Sequence, residues 1–199
     1  MSYIIDGKAI SAQIKEECRE RVERLREKGV SVTLAVVLVG DDPASCVYVN
    51  NKKKACEFCG SESRTYELSA DTTQQEVLNL VQTLNADESV NGILVQLPLP
   101  EHIDENEIIY AISPEKDVDG FHPYNVGALS IGLPGHVSCT PAGVIELLKR
   151  SNIEISGKHC VVVGRSNIVG KPMSMLLLRE NGTVTVAHSK TADLKAVTS

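Results

Sequence analysis

The sequence predicts an α/β fold built on parallel strands, and three observations lead to this prediction. Aliphatic and β-branched runs without polar alternation occur at 32–39 and 92–97, as expected for strands buried on both faces. Segments of helical periodicity separate these runs, and parallel strands need such crossovers. Apolar residues make up 42% and charged residues 23% of the 199 residues, a balance typical of globular domains.

The elements of the first part follow one another in regular order. A helix is predicted from Gly7 to Lys28, because its apolar residues fall on one face and Gly29 ends it. Turn residues separate the strands and helices that come next. These are a strand at 32–39, a helix capped near Ser45 and ending at about Phe58, a strand at 64–68, a helix at 72–84, a strand at 92–97 and a helix at 104–112.

The second part contains one βαβ unit. Residues 117–139 are rich in Gly, Pro, His and Asn, and we predict that they form a long irregular segment with a functional role. A helix at 141–150 follows, and then a strand at 160–163, a helix at 169–179 and a strand at 183–187. We therefore expect two domains, residues 1–140 with a three-layer α/β arrangement and residues 141–199 with the remaining βαβ unit.

Charge and cysteine usage narrow the class of protein. The net charge of −6 argues against non-specific nucleic-acid binding, which depends on neutralising phosphates. Residues 1–7 include Asp6 and lack an apolar core, so no signal peptide is expected, and no apolar run is long enough to span a membrane. We therefore expect a cytoplasmic protein whose six cysteines are reduced. A metal or redox role for Cys56-x-x-Cys59 is the alternative to half-buried thiols, and no metal site is expected.

The loop after the strand at 160–163 has the context of a dinucleotide site. Gly164 allows a tight turn, and the amides of Arg165 and Ser166 precede a helix whose N-terminus can face a pyrophosphate. The spacing is G-x-S-x-x-x-G rather than G-x-G-x-x-G, so a purely structural βα turn stays open. No carboxylate follows the next strand, whereas Ser189 and Lys190 do; this favours NADP over NAD, although Lys190 also fits a solvated surface charge.

Candidate catalytic groups lie in the first part of the chain. Tyr48 and Lys52 are four residues apart and share one helical face, where the lysine can move a proton if it lies in a cleft, or can simply be exposed to water. Gln96 is at the carboxyl end of a predicted strand, where open α/β sheets bind ligands. Asp117 and Asp119 precede Gly120 and can pair with a ring amidine or with Lys52, or can merely form a turn.

Taken together and in this order, these motifs resemble one family. They are Tyr48-x-x-x-Lys52, Leu94-Val95-Gln96-Leu97-Pro98-Leu99-Pro100, Lys116-Asp117-Val118-Asp119-Gly120, Cys139-Thr140-Pro141, Gly164-Arg165-Ser166-x-Ile168-Val169-Gly170 and His188-Ser189. The chain is similar to the bifunctional methylenetetrahydrofolate dehydrogenase/methenyltetrahydrofolate cyclohydrolase family from its opening helix to Ser189.

The resemblance implies two reactions in one cleft, the oxidation of 5,10-methylenetetrahydrofolate with NADP and the hydrolysis of the methenyl product to 10-formyltetrahydrofolate. It also implies a homodimer and a place in one-carbon metabolism and purine biosynthesis. The site residues that it implies have distinct roles. Lys52 would move a proton in the hydrolysis, Gln96 would orient Lys52, Tyr48 would stack on the folate, Asp119 would hold the pterin edge, Val95 and Leu97 would line the substrate site, and Gly164, Arg165, Ser166 and Ser189 would hold NADP.

The carboxyl end departs from the family. Members continue for several strands with a Pro-Val-Pro-Gly-Gly-Val-Gly-Pro segment, whereas this sequence stops at Ser199. We therefore expect a catalytic domain followed by an incomplete Rossmann-like NADP-binding domain that binds NADP weakly. The alternative is a catalytically impaired folate-binding or dimerising remnant of the enzyme. A short-chain dehydrogenase also has Tyr-x-x-x-Lys, but there the glycine loop comes first; a structural α/β domain would require every motif to match by accident.

Overall fold

A computed structural model describes residues 4–199. Residues 1–3 belong to the stretch in which no leader is expected, and they lie outside the described residues. The chain divides into two compact units: residues 11–118 form one, and residues 119–199 form the other together with the start of the opening helix up to Ile10.

The first unit is a parallel sheet with helices on both faces. Its strands have the order β2-β1-β3. Val36 of the central strand pairs with Thr65 on one side and with Leu94 on the other, both in parallel register. The elements are α1 (Gly7–Glu27), β1 (Thr33–Val39), α2 (Pro43–Cys59), β2 (Glu62–Leu68), α3 (Gln74–Ala86), β3 (Gly92–Val95) and α4 (Glu105–Ala111).

Strand β1 provides the core of this unit on both of its faces. Val37 packs on the face covered by α3 and α4, in one cluster with Val81 and Ile108. Val36 packs on the opposite face with Val49 of α2. Burial of each such aliphatic side chain contributes about 1.5–3 kcal/mol. The predicted α/β class and parallel strands are confirmed, and the continuous apolar run of β1 reflects its double burial.

The predicted boundaries on either side of the site differ from the structure. Helix α2 begins at Pro43, and its cap is Asp42, whose side chain accepts a hydrogen bond from the backbone N–H of Ser45. Ser45 is therefore inside the first turn rather than the capping residue. Strand β3 ends at Val95, so Gln96 follows the strand instead of belonging to it.

Lys116 joins the segment that follows α4 to the end of α3. Its Nζ atom donates hydrogen bonds to the carbonyl oxygens of Leu84, Asn85 and Asp87 at 3.0, 2.8 and 2.8 Å. The ammonium group thereby satisfies carbonyls at a helix C-terminus, where the helix dipole favours a positive charge. The carbonyl oxygen of Lys116 accepts from the N–H of Ile93 at 2.7 Å, so one residue binds both α3 and β3.

The second unit contains the two strands of the βαβ unit. Strands β4 and β5 pair in parallel, with Val161 opposite Thr185. Helices α6 and α7 pack in a cluster that includes Ile145, Met173 and Leu176. The elements are α5 (Pro123–Ile131), α6 (Cys139–Arg150), β4 (His159–Val163), α7 (Gly170–Arg179), β5 (Thr183–Ala187) and α8 (Leu194–Thr198).

The segment predicted to be irregular contains helix α5. The nitrogen of the His122 ring accepts from the N–H of Tyr124, Pro123 occupies the first helical position, and Gly132 ends the helix in the left-handed conformation. Leu129 of this helix packs in the same cluster as α6 and α7. Residues 119–140 therefore pack within the second unit, whereas the boundary after residue 140 stays a prediction. The short helix α8 was not predicted.

Replacing Lys116 with Met tests its structural role. Lys116→Met removes three charge-assisted hydrogen bonds at the end of α3, and we expect the free energy of unfolding to fall by about 1–3 kcal/mol. Denaturant unfolding measures the change. Lys54→Met is the matched control, because Lys54 is exposed on α2 and its loss is expected to change stability by less than about 0.5 kcal/mol. Equal stabilities of the two variants would contradict the prediction.

Candidate functional site

The turn between β1 and α2 determines where the Tyr-Lys helix begins. The side chain of Asp42 accepts from the N–H of Ser45 at 2.7 Å, and Pro43 occupies the first helical position. Hydrogen bonds from Ser45 hold the pKa of the Asp42 carboxyl below its usual value. The ionised carboxylate thus caps the helix that carries Tyr48 and Lys52.

Lys52 and Gln96 meet at the carboxyl end of the first sheet. The Nζ atom of Lys52 donates to Oε1 of Gln96 at 2.9 Å. The amide of Gln96 is itself held, because its Nε2 donates to the carbonyl oxygen of Leu97 at 2.7 Å and its backbone N–H donates to that of Val37 at 2.9 Å. Gln96 therefore presents its oxygen to the lysine and fixes the position of the half-buried amine.

The other residues predicted to bind substrate in this unit differ in exposure. Tyr48 is 62% exposed and lies one helical turn before Lys52. The side chain of Val95 is buried in the core cluster of the sheet, and Leu97 packs against that cluster. Val95 and Leu97 thus support the strand end, and their contact with a substrate stays a prediction.

Asp119 follows a segment that continues the first sheet. Asp117 is 2% exposed and forms an isolated parallel bridge with Ile93 of β3. Asp119 is half-buried, and Gly120 after it has a φ of 66°, which favours glycine. Lys116 is the first residue of the same motif but was not among the predicted site residues. Its place directly before Asp117 was the available signal.

The loop between β4 and α7 is held by its own serine and by a close backbone approach. The Oγ atom of Ser166 accepts from the N–H groups of Val169 and Gly170, both at 3.2 Å. A Cβ atom on Gly170 would collide with the carbonyl oxygen of Gly164. The glycine at the seventh position of G-x-S-x-x-x-G is therefore required for α7 to begin against the turn.

Polar groups predicted to bind the cofactor lie at the carboxyl ends of β4 and β5. Because β4 and β5 are parallel neighbours, Arg165 after β4 and Ser189 after β5 follow the strands at the same end of the sheet. Both side chains are exposed, as is that of Lys190. A cation, a hydroxyl and a backbone turn too tight for a Cβ fit a phosphorylated dinucleotide.

Among residues 4–199, no group of three His, Cys, Asp or Glu side chains is placed to hold a metal ion. Within the same range, no helix is both long and apolar enough to cross a membrane. Within residues 4–199 none of the six cysteines forms a disulfide. Burial, followed by the neighbouring Cys18 and Cys56, raises the pKa of the Cys59 thiol.

Both parts of the chain match sequence profiles of one protein family. The sequence profile described as "Tetrahydrofolate dehydrogenase/cyclohydrolase, catalytic domain" matches residues 5–119, which is more than half of the chain.

The chain belongs to the tetrahydrofolate dehydrogenase/cyclohydrolase family.

The profile of the NAD(P)-binding domain of this family matches residues 138–199. A bifunctional FolD protein of Lachnoclostridium phytofermentans is 64% identical over 198 residues, which is 100% of this chain and 70% of that relative. A similar solved structure is the bifunctional FolD methylenetetrahydrofolate dehydrogenase/cyclohydrolase from Campylobacter jejuni, with a TM-score of 0.96 and 54% identity. The match covers 98% of this chain and 70% of the Campylobacter jejuni chain.

A second solved structure was determined with a cofactor. The Trypanosoma brucei methylenetetrahydrofolate dehydrogenase-cyclohydrolase, complexed with NADP and an inhibitor, has a TM-score of 0.90 at 42% identity and covers 96% of this chain and 66% of that one. The family resemblance predicted from the motifs, and the two-domain α/β fold that it implies, are therefore confirmed. The G-x-S-x-x-x-G segment, residues 164–170, lies within the part that the NAD(P)-binding profile matches; we refer to it as the dinucleotide loop because the cofactor is predicted to bind there.

Gly170→Ala tests the steric basis of that loop. The added methyl group would meet backbone atoms of Gly164 and Arg165, and we expect the free energy of unfolding to fall by about 1–3 kcal/mol. The control is Gly143→Ala in α6, where a Cβ meets open space and alanine is favoured in a helix by up to about 1 kcal/mol. Denaturant unfolding of both variants decides the point, and a Gly170→Ala protein as stable as Gly143→Ala would refute it.

Proposed function

We propose that this chain catalyses two consecutive reactions on a one-carbon tetrahydrofolate. The first oxidises 5,10-methylenetetrahydrofolate to the 5,10-methenyl form with NADP, and the second hydrolyses the methenyl form to 10-formyltetrahydrofolate. The hydrogen bond between Lys52 and Gln96 carries the proposal, because it fixes an amine at the ligand-binding edge of a parallel sheet. Family membership and the bifunctional relatives support the same two reactions.

Hydrolysis needs proton movement more than electrophilic activation. The methenyl carbon is already cationic, so water can form a bond to it without a metal ion. The added water loses one proton. One carbon–nitrogen bond of the bridge then breaks as its nitrogen takes up a proton and the new hydroxyl loses its own to become the formyl C=O, so that one proton is released overall. Lys52 is the group that we assign to these proton transfers. Gln96 holds its Nζ atom through a neutral oxygen, which fixes the position of the amine without adding a charge beside the cationic carbon.

Folate recognition is assigned to Asp119, Tyr48 and the end of β3. A carboxylate accepts two parallel N–H groups from a ring amidine, which matches the pterin edge, and we assign this role to Asp119. Tyr48 offers an exposed ring one turn from Lys52, suited to stacking on a planar heterocycle. Val95 and Leu97 flank Gln96, and we propose that their backbone groups line the substrate site.

The cofactor is assigned to the loop after β4. When bound, NADP supplies the acceptor for the hydride that leaves the methylene bridge. Gly164 and Ser166 shape the turn that faces the pyrophosphate, at the N-terminus of α7. Arg165 and Ser189 are the donors for the 2′-phosphate, because the stretch 186–190 offers no carboxylate to a ribose hydroxyl.

Assembly and location follow from the family resemblance rather than from the fold. We propose a cytoplasmic homodimer that acts on small folate derivatives and on neither nucleic acid nor membrane. The net charge of −6 supports the exclusion of non-specific nucleic-acid binding. The absence of a disulfide among the six cysteines in the described residues is compatible with a reducing compartment.

Lys52→Met tests the proton-transfer role. The variant keeps an unbranched apolar stem, one atom shorter than that of lysine, but has no exchangeable proton. We expect hydrolysis of the methenyl substrate to slow by about 10²–10⁴-fold. Folate binding, measured by titration, is expected to stay close to that of the unaltered chain. Lys54→Met is the control, because it removes an exposed amine from the same helix. Hydrolysis at the unaltered rate in Lys52→Met would rule out the assignment.

Arg165→Ala tests the choice of cofactor. We expect the affinity for NADP to fall about tenfold or more, which corresponds to about 1.4 kcal/mol, while the weaker affinity for NAD changes little. Calorimetric titration of both cofactors measures the ratio, and the unaltered chain tests the expectation that NADP is bound weakly. Lys190→Ala is the comparison, since its side chain is exposed and we assign it no contact with the cofactor. A parallel loss of both affinities in Arg165→Ala would contradict a contact with the 2′-phosphate.

A further inference from the structure

Ser138 occupies the position of a helix cap but does not act as one. It directly precedes α6, and its side chain makes no capping hydrogen bond with that helix. The residue is only 3% exposed. Its hydroxyl instead donates to the carbonyl oxygen of Ile168 at 2.5 Å. A buried hydroxyl is thus used to hold a carbonyl 30 residues further along the chain.

The acceptor lies in the middle of the dinucleotide loop. Ser166 binds the amides of Val169 and Gly170 from within the loop, whereas Ser138 binds the carbonyl of Ile168 from outside it. The side chain of Ile168 is exposed, so its packing contributes little to holding the loop. The hydrogen bond from Ser138 therefore fixes a part of the loop that Ser166 does not reach.

The same short segment contacts the residue after Asp119. A Cβ atom on Gly120 would be 2.8 Å from the backbone nitrogen of Ser138 and 2.9 Å from the carbonyl oxygen of His136. Gly120 thus lies directly against the backbone of 136–138. All of these residues belong to the second unit, in which 136–138 joins the Asp119–Gly120 turn to the dinucleotide loop.

We propose that Ser138 is a positioning residue that sets the conformation of the dinucleotide loop and its distance from Asp119. The inference rests on the proposed function, because it gives the loop its cofactor and Asp119 its substrate. Ser138 acts through the backbone of Ile168 and contacts neither. Loss of its hydroxyl therefore impairs cofactor binding and hydride transfer, and leaves hydrolysis, which does not use NADP, largely intact.

Ser138→Ala is the test, and Ser151→Ala is its matched control. Ser151 follows the other end of α6, and its buried hydroxyl has no hydrogen-bond partner in the described structure. Amide hydrogen exchange of residues 167–171 is measured first, on the chain without ligand. We expect faster exchange in Ser138→Ala and unchanged exchange in Ser151→Ala. Equal exchange in the two variants would overturn the proposal.

NADP titration and the two activities are the second readout. We expect Ser138→Ala to raise the Kd and KM for NADP about five- to fiftyfold, with the rate of methenyl hydrolysis within about twofold. Equal slowing of both reactions would indicate general damage and would also overturn the proposal. Failure of the proposed function has a different signature: the unaltered chain would bind no NADP and turn over no folate, while Ser138→Ala would still show faster exchange of the loop.

Discussion

Double burial of β1 is the constraint on which the first unit depends. A strand covered by helices on both faces and paired on both edges has no freedom to shift its register, since a slip by one residue would exchange its two sets of buried side chains. Two features of the site are attached directly to this strand. Helix α2 begins four residues after Val39, and the backbone of Gln96 is bonded to Val37. The packing and pairing of β1 therefore determine where the Lys52 amine lies.

The choice of a neutral partner for Lys52 is consistent with the chemistry proposed for it. A carboxylate at the position of Gln96 would also hold the amine, but it would retain the proton on the amine and would attract the cationic carbon to itself. An amide oxygen offers direction with little electrostatic bias. Gln96 uses its second polar atom on the carbonyl of Leu97, so its amide is fixed at both ends. Gln96 therefore fixes the position of the Lys52 amine without placing a negative charge beside it.

Much of this fold can be predicted from local sequence, and its exceptions have physical causes. Continuous aliphatic runs identify β1 and β3, because few other structures bury nearly every side chain of a run. Helix α5 escaped prediction although His122, Pro123 and Gly132 mark its ends, because the glycines and polar residues around it mask its periodicity. Ser138 shows a different limit: a serine before a helix predicts a cap, and only the tertiary structure shows that its hydroxyl reaches Ile168 instead.

The positions of the site residues were likewise predictable from local sequence, whereas their contacts depend on the tertiary structure. The residues alone placed Lys52 on a helix and Gln96 at a strand end, and only the family resemblance implied that the two act together. Their contact joins residues 44 apart and depends on the sheet order. In the second unit, shape and charge come from different residues. Gly120 and Gly170 set the loops by allowing backbones to approach too closely for any Cβ, which requires no charged group. Arg165 is exposed beside the loop, and its charge is not needed to maintain the turn from which it projects. The side chain therefore remains available for the contact with the 2′-phosphate that we propose.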